Sequence, residues 1–477
     1  MVVAMDKLLL LLTLALCGCS TLARPDFDQA FTGKCMQVGY NHANRKGGSG
    51  EIGFEHVVIS GDWPGSRTQL IDPNDFGKYR VEMRDLASQR LLYSRGFASI
   101  FGEWETTAEA KEFLKAFEET VRLPEPRLPF RLAIQKRADD GSFQDLATRD
   151  VDLAVDRPWR RDPEQLGETV PIFVHGDNAT HVDLLIVSDG YTREQRDKFV
   201  ADTRRLVEVM FTTEPFQRRK SDFNVRALFV PSKEAGIANP RKEVARKSAL
   251  GLSYNAFGSD RYVLTMDDFA LRQTCAQAPY DTLILLFNER KYGGGGIYNL
   301  WATVAADTEP AAYVFVHEFG HSFAGLADEY YSSQVAYEEF IKPGVEPWEP
   351  NVTALLDPAN LKWKDLVAKD TPLPTPWGQQ HFDEIDLAYQ ARRAQMLEAK
   401  ASEEAMEGLF REVKGSTAPL LARERYANAV GAFEGASYQA KGLFRPEVDC
   451  IMFTRNPTRF CAVCERAIER VIDSYAR

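Results

Sequence analysis

Long runs of lysine and arginine are missing from this chain. Its 58 basic residues are outnumbered by 69 acidic ones, for a formal net charge of −11. Without a concentrated basic face nothing meets a phosphate backbone, so nucleic acid is excluded as a partner. Apolar stretches of membrane-spanning length are missing too: the run from Leu8 to Leu16 falls well short of the roughly 20 residues that a permanent transmembrane helix needs. Cysteine is sparse, seven in 477 residues, and Cys461-Ala462-Val463-Cys464 has no second Cys-x-x-Cys beside it to complete a zinc ribbon and no thioredoxin-like strand-helix-strand context. Histidine is equally scarce. Of seven, His42, His56, His175, His181 and His381 stand without ligand spacing and read as ordinary core or surface residues, which leaves His317 and His321. Disorder is excluded by a hydrophobic content of 44%, and the length allows about two to four domains with buried cores.

The remaining pair carries the chemistry. His317-Glu318-Phe319-Gly320-His321 places two imidazoles at i and i+4, on one face of a helix, where both can bind one Zn²⁺ while Glu318 leans over the open side. A zinc ion so held acidifies water, and a neighbouring carboxylate takes the proton; Glu318 is therefore the candidate general base of peptide-bond hydrolysis. The apolar run Ala311 to Val316 leads into this helix and Gly325 supplies its stop. A third protein ligand is still needed. The turn after Gly325 brings Asp328 back toward the metal, with Glu329 as its immediate competitor and Glu338 or Glu339 as candidates from a further helix; Asp328 is the expected ligand.

Four separated stretches then point to a family. Tyr313 to Tyr331, Lys291 to Asn299 with its four glycines, and the downstream Phe433-Glu434-Gly435-Ala436 and Cys450-Ile451-Met452 together resemble the igalysin (M64) family of zinc metallopeptidases, named for IgA-specific peptidases. The resemblance covers most of the chain beyond Val182. It implies a metzincin-like catalytic domain with a mixed twisted sheet, an active-site helix and a methionine turn beneath the metal, Met452 being that methionine. The usual metzincin pattern has a glycine at the place of Ala324 and a third histidine at the place of Ala327; this chain has neither. Tyr438 and Glu434 are expected near the site, and a tyrosine there suits a developing oxyanion.

The fold expected is α+β. Residues 24–156 alternate or cluster apolar residues at strand length, as in Phe54 to Ile59, Lys78 to Met83 and Phe130 to Ile134, and read as an N-terminal β-sandwich. A polar, proline-containing linker over 156–171 leads to a zinc peptidase domain over 171–477. Val182 to Ser188 reads as a buried strand, Thr192 and Gln195 as a capping box, Val225 to Val230 and Asp281 to Phe287 as further strands, and about 384–427 as a helical insertion that is either a lid or a solvated hairpin. The Tyr292 to Asn299 segment is expected as an edge strand or rim loop approached closely by another backbone, where an extended peptide adds on.

Residues 1–18 read as a lipoprotein signal peptide. Leu16-Cys17-Gly18-Cys19-Ser20 resembles a lipobox, with Cys19 as the lipidated residue and Ser20 favouring the outer membrane; otherwise the protein is periplasmic or secreted. Contact with a membrane is then by lipid anchor only. The mature chain keeps Cys35, Cys275, Cys450, Cys461 and Cys464, and a disulfide within the last three is expected to pin the methionine turn. Two function classes follow: a zinc-dependent endopeptidase acting on protein or peptide substrates, and a non-catalytic surface binding or adhesion protein that keeps the fold. Glu318 favours the first, since a binding module needs no general base.

Overall fold

The computed structural model describes residues 25–44, 50–332, 341–456 and 459–476. The leader reading, with Cys17 and Cys19, and the candidates Glu338 and Glu339 lie outside the described residues.

Eight strands build the N-terminal part: β1 (Phe31–Ala43), β2 (Glu51–Asp62), β3 (Tyr79–Asp85), β4 (Leu91–Phe97), β5 (Ala116–Pro126), β6 (Phe130–Arg137), β7 (Phe143–Val151) and β8 (Trp159–Arg160). They form two four-stranded sheets, ordered β5-β1-β2-β8 and β4-β3-β6-β7. Strand β6 shows why they pair face to face: Phe130, Leu132 and Ile134, two residues apart, are fully buried, as a strand with one face on a core requires. They meet Val38, Tyr40 and Leu123 of the other sheet in a shared core, the arrangement of a sandwich. The stretch read as a linker is not simply extended. Trp159 and Arg160 add to β2 as a parallel strand before the chain moves on.

The second part centres on a six-stranded sheet ordered β13-β14-β12-β10-β11-β9, comprising β9 (Glu168–Phe173), β10 (Val182–Asp189), β11 (Phe223–Phe229), β12 (Thr282–Phe287), β13 (Gly294–Ile297) and β14 (Trp301–Ala305). The four inner strands are parallel, and β9 and β13 run antiparallel at the edges. Every residue of β10 is buried, the mark of a strand covered on both faces. The helices of this part include α1 (Arg196–Met210), opened by the Thr192/Gln195 capping box and packed on β11, α2 (Asp268–Cys275), packed on β5 of the sandwich, and α3 (Ala311–Ala324). Helix α3 lies across β13 and β14. Beyond it come α4 (Gln379–Glu398), α5 (Glu403–Ala422), the hairpin of β15 (Phe433–Ala436) and β16 (Gln439–Arg445), and α6 (Ala462–Tyr475), which with α1 backs α3. Among the described residues no helix is long and apolar enough to cross a membrane.

The two parts are docked. Phe76, Ala98 and Ile100 from the sandwich join the larger core, Ala98 N–H donates to the Tyr298 carbonyl at 2.9 Å, and the Asn299 amide donates to the Gly96 carbonyl at 3.0 Å. The sandwich thereby reaches the rim of the cleft described next.

Candidate metal centre and cleft

Helix α3 carries most of the site. Ala311, Val314, Phe315, Phe319 and Phe323 are buried and root it in the core, so the face with His317 and His321 is fixed rather than free to roll. Gly325 ends the helix at φ 63°, a left-handed conformation that favours glycine, and Leu326 N–H reaches back to the Gly320 carbonyl.

The chain then returns past the imidazoles, and each residue of the returning segment is held. The Asn351 side chain clasps Ala327, accepting from its N–H at 2.8 Å and donating to its carbonyl at 3.0 Å. Ser437 N–H donates to the Asp328 carbonyl, Glu329 N–H donates to the Met452 carbonyl at 2.8 Å, and Tyr438 N–H donates to the Tyr330 carbonyl. Both Ser437 and Tyr438, at the tip of the β15–β16 hairpin, have positive φ, a strained state for side chains of their kind that these hydrogen bonds hold in place.

The result is a cluster of three donors. Asp328 Oδ1 stands 3.0 Å from His317 Nε2 and 3.2 Å from His321 Nε2, and the two Nε2 atoms are 3.1 Å apart. Three tetrahedral vertices about a zinc with bonds near 2.0–2.1 Å lie about 3.3 Å apart, so the set fits one ion and leaves a vertex open. The outward nitrogens agree: His317 Nδ1 bonds the Ile451 carbonyl at 3.1 Å and His321 Nδ1 bonds the Leu326 carbonyl, which fixes the tautomers with both Nε2 lone pairs inward. Asp328 Oδ1 is buried with no hydrogen-bond donor of its own, while Oδ2 accepts from the Tyr438 hydroxyl. Burial works against charge on Asp328, but when they are protonated His321 and His317 outweigh it and hold the carboxyl well below its usual range. Glu329 points away from this cluster.

Glu318 faces a cleft of about 330 Å³ whose wall includes Gly294 to Gly296 of β13, Arg261, Tyr438 and Asp328. Burial raises the Glu318 pKa and the two imidazoles pull it back. Burial also opposes the charge of Arg261, yet Tyr330, Tyr292 and Asp328 keep it firmly cationic. The glycines of β13 are close-approach residues: a Cβ on Gly296 would stand 2.8 Å from His321 Cβ and nearer still to the Glu318 carbonyl oxygen. The strand's outer edge is already engaged at Gly294, which donates to the Arg261 carbonyl at 3.1 Å and accepts from Val263 N–H. Opposite stand Tyr389 and Arg393 of α4 and Phe410 of α5, so the helical pair forms a wall of the cleft, and Ala98 and Glu103 bring the sandwich to its rim. Helix α4 starts at Gln379, somewhat before the expected position.

Met452 is fully buried in a turn under α3, and a Cβ on Gly320 would stand 3.2 Å from its sulfur. Glu434, by contrast, pairs with Lys441 on the outer face of the hairpin. The expected disulfide is absent. All the described cysteines are free, and Cys450 Sγ and Cys464 Sγ stand 3.9 Å apart. Tyr313, Arg261 and Asn351 were not anticipated at the site. Tyr313 did carry a signal, lying one helical turn before His317, and its hydroxyl donates to the same Ile451 carbonyl at 3.0 Å. The other two come from distant loops and carry none.

Residues 170–472 match the family described as IgA Peptidase M64, and residues 26–148 match the one described as Peptidase M64 N-terminus. No curated protein matches the chain.

Proposed function

The chain belongs to the IgA peptidase M64 family, and from that premise we propose a zinc-dependent endopeptidase with a metzincin-like catalytic domain, in which His317, His321 and Asp328 hold the metal and Glu318 is the general base. One observation carries the reading: three inward donors 3.0 to 3.2 Å apart on the cleft wall, with Glu318 on the same helix facing the same space. When bound, zinc would supply Lewis-acid charge that polarises a carbonyl and makes water more acidic. Glu318 takes the proton of the attacking water onto its carboxylate and passes it to the departing amide nitrogen, a task helped by the basicity that burial gives it. Arg261 offers donors to the negative charge growing on the carbonyl oxygen, while the Tyr438 hydroxyl, bonded to Asp328 Oδ2, holds that carboxylate in place. Met452, packed under α3, serves as the methionine of the turn beneath the metal.

The substrate is a polypeptide lying in the cleft between β13, whose outer edge is already bonded at Gly294, and the wall made by α4 and α5. Residues 24–156 and 171–477 act as the two domains, the first closing one end of the cleft. We also propose export under a signal over residues 1–18, with Cys19 lipidated and the enzyme held at the outer membrane. Detergent partitioning of the wild type against Cys19→Ala tests this; equal solubility refutes the anchor. The test of the activity is digestion of a denatured proteome by the purified protein with and without chelator. Glu318→Gln should keep its metal while losing about two to four orders of magnitude in rate. Undiminished cleavage by that variant, or cleavage indifferent to chelator, refutes the mechanism.

A further inference from the structure

Behind the candidate catalytic centre a second set of metal-binding side chains converges. Glu329 follows Asp328 directly, but its side chain turns the other way, into a fully buried space shared with Cys450, Cys461 and Cys464. Cys464 Sγ lies 3.4 Å and Cys461 Sγ 4.0 Å from Glu329 Oε1, Cys450 Sγ lies 3.9 Å from Cys464 Sγ, and the four donors all fall within 4.8 Å of one another. Around a tetrahedral ion with Zn–S near 2.3 Å and Zn–O near 2.0 Å, sulfurs lie about 3.8 Å apart and sulfur and oxygen about 3.5 Å apart. A disulfide would instead need sulfurs about 2.05 Å apart.

Three further observations point to a ligand rather than to packing. Glu329 Oε2 is buried with no hydrogen-bond partner, although Oε1 accepts from Asn351 at 3.0 Å; an unpartnered carboxylate oxygen among apolar groups is costly, whereas free thiols that merely fill space need no carboxylate beside them. The sulfurs also accept from backbone, as thiolates do: Cys461 N–H at 3.2 Å and Met452 N–H at 3.5 Å both aim at Cys450 Sγ, and Cys464 N–H aims at Cys461 Sγ at 3.4 Å. Finally, Cys461 caps the N-terminus of the 14-residue α6, where the helix dipole favours negative charge, and the buried Arg445 interacts favourably with both Glu329 and Cys450.

We propose that Glu329, Cys450, Cys461 and Cys464 form a second, structural zinc site. Binding releases the thiol protons to solvent and transfers no electrons; the ion links the returning segment, the Met452 turn and the start of α6. Glu329 thereby anchors the segment that presents Asp328, and Cys450 anchors the turn whose Ile451 carbonyl orients His317. The site does not depend on the catalytic reading.

Metal analysis and spectroscopy separate the two. The wild type should hold two equivalents of zinc. His317→Ala with His321→Ala should hold one, and X-ray absorption on that variant should show a sulfur shell at about 2.3 Å. After exchange with Co²⁺, the same variant should keep an intense thiolate-to-cobalt charge-transfer band, which Cys461→Ser with Cys464→Ser abolishes. If the cysteine variant fails to fold, the wild type and the histidine variant decide alone. A metal-free histidine variant, a shell of nitrogen and oxygen only, or a disulfide among the three cysteines in the non-reduced wild type overturns the site. A single equivalent in the wild type, with three sulfurs and one oxygen around it, would instead leave this site standing and sink the catalytic one.

Discussion

At Gly296 the sheet closely approaches the helix that carries His317 and His321, so Gly296→Ala tests whether that contact positions the site. The added methyl would stand 2.8 Å from His321 Cβ and closer to the Glu318 carbonyl oxygen. Neither atom can swing aside, because one is backbone and the other is fixed to it. Restoring ordinary contact therefore needs about 1 Å of separation between β13 and α3. Overpacking of this kind costs about 1–3 kcal/mol, and a donor moved by about 1 Å costs on the order of 100-fold in rate. The natural control is Gly53→Ala, in a strand where no heavy atom lies within 4 Å of the new methyl. Urea unfolding of both variants, together with cleavage rates on a denatured protein, should show Gly296→Ala destabilised and about 100-fold slower while Gly53→Ala stays close to wild type. If both variants unfold and cleave alike, the quadruple glycine is merely a flexible turn and the close approach has no consequence.

Three other expectations follow from particular residues. Tyr438→Phe removes the hydroxyl held by Asp328 Oδ2 and should lower zinc affinity or kcat/KM about 10- to 100-fold; zinc competition and kinetics that both match wild type would exclude a positioning role. Burial pushes Glu349 up to about 7, above its unfolded value, so through the window from about 4.5 to 7 the folded protein keeps a proton that the unfolded chain releases, and stability falls as pH rises. Glu349→Gln should flatten that slope, worth up to about 3 kcal/mol by pH 8; urea unfolding at pH 5 and pH 8 with an unchanged slope counts against it. Gly415→Ala, inside α5 with open space around the new methyl, should slow amide exchange in that helix through about 1 kcal/mol of added helix stability, and faster exchange would contradict its placement.

What was legible in the sequence was local. The spacing of His317 and His321, the stop at Gly325, the buried run of β10 and the capping box of Thr192 and Gln195 each depend on neighbours within a turn or two, and each is found where the pattern put it. What was not legible depends on docking. Asn351 clasps Ala327 from 24 positions away, and Arg261 reaches the cleft from a loop whose sequence announces nothing. The cysteines were read for their redox compartment, and so as a disulfide; only the fold shows that a carboxylate from a segment more than 100 residues earlier completes their cluster. The helical pair was read from composition, which is silent on whether its face meets solvent or a cleft. Tyr389, Arg393 and Phe410 settle that by lining it.

Asp328 and Glu329 show how backbone geometry, rather than side-chain length, sets which of two neighbouring carboxylates faces the imidazoles. Both carboxylates are within reach of a returning turn, and on length alone the longer side chain is the easier ligand. The returning segment, however, runs between two fixed flanks: the Asp328 and Tyr330 carbonyls accept from Ser437 and Tyr438 on one side, while Glu329 N–H donates to Met452 on the other. A chain bonded alternately left and right is extended, and in extended chain successive side chains point to opposite faces. Asp328 therefore turns to the imidazoles and Glu329 to the thiols, and exchanging their roles would require a register slip that breaks all three of those backbone bonds. The same parity makes the two donor sets mechanically dependent. Loosening the thiol cluster frees Glu329, and the residue beside it is the one whose carboxylate must stay about 3 Å from both histidines.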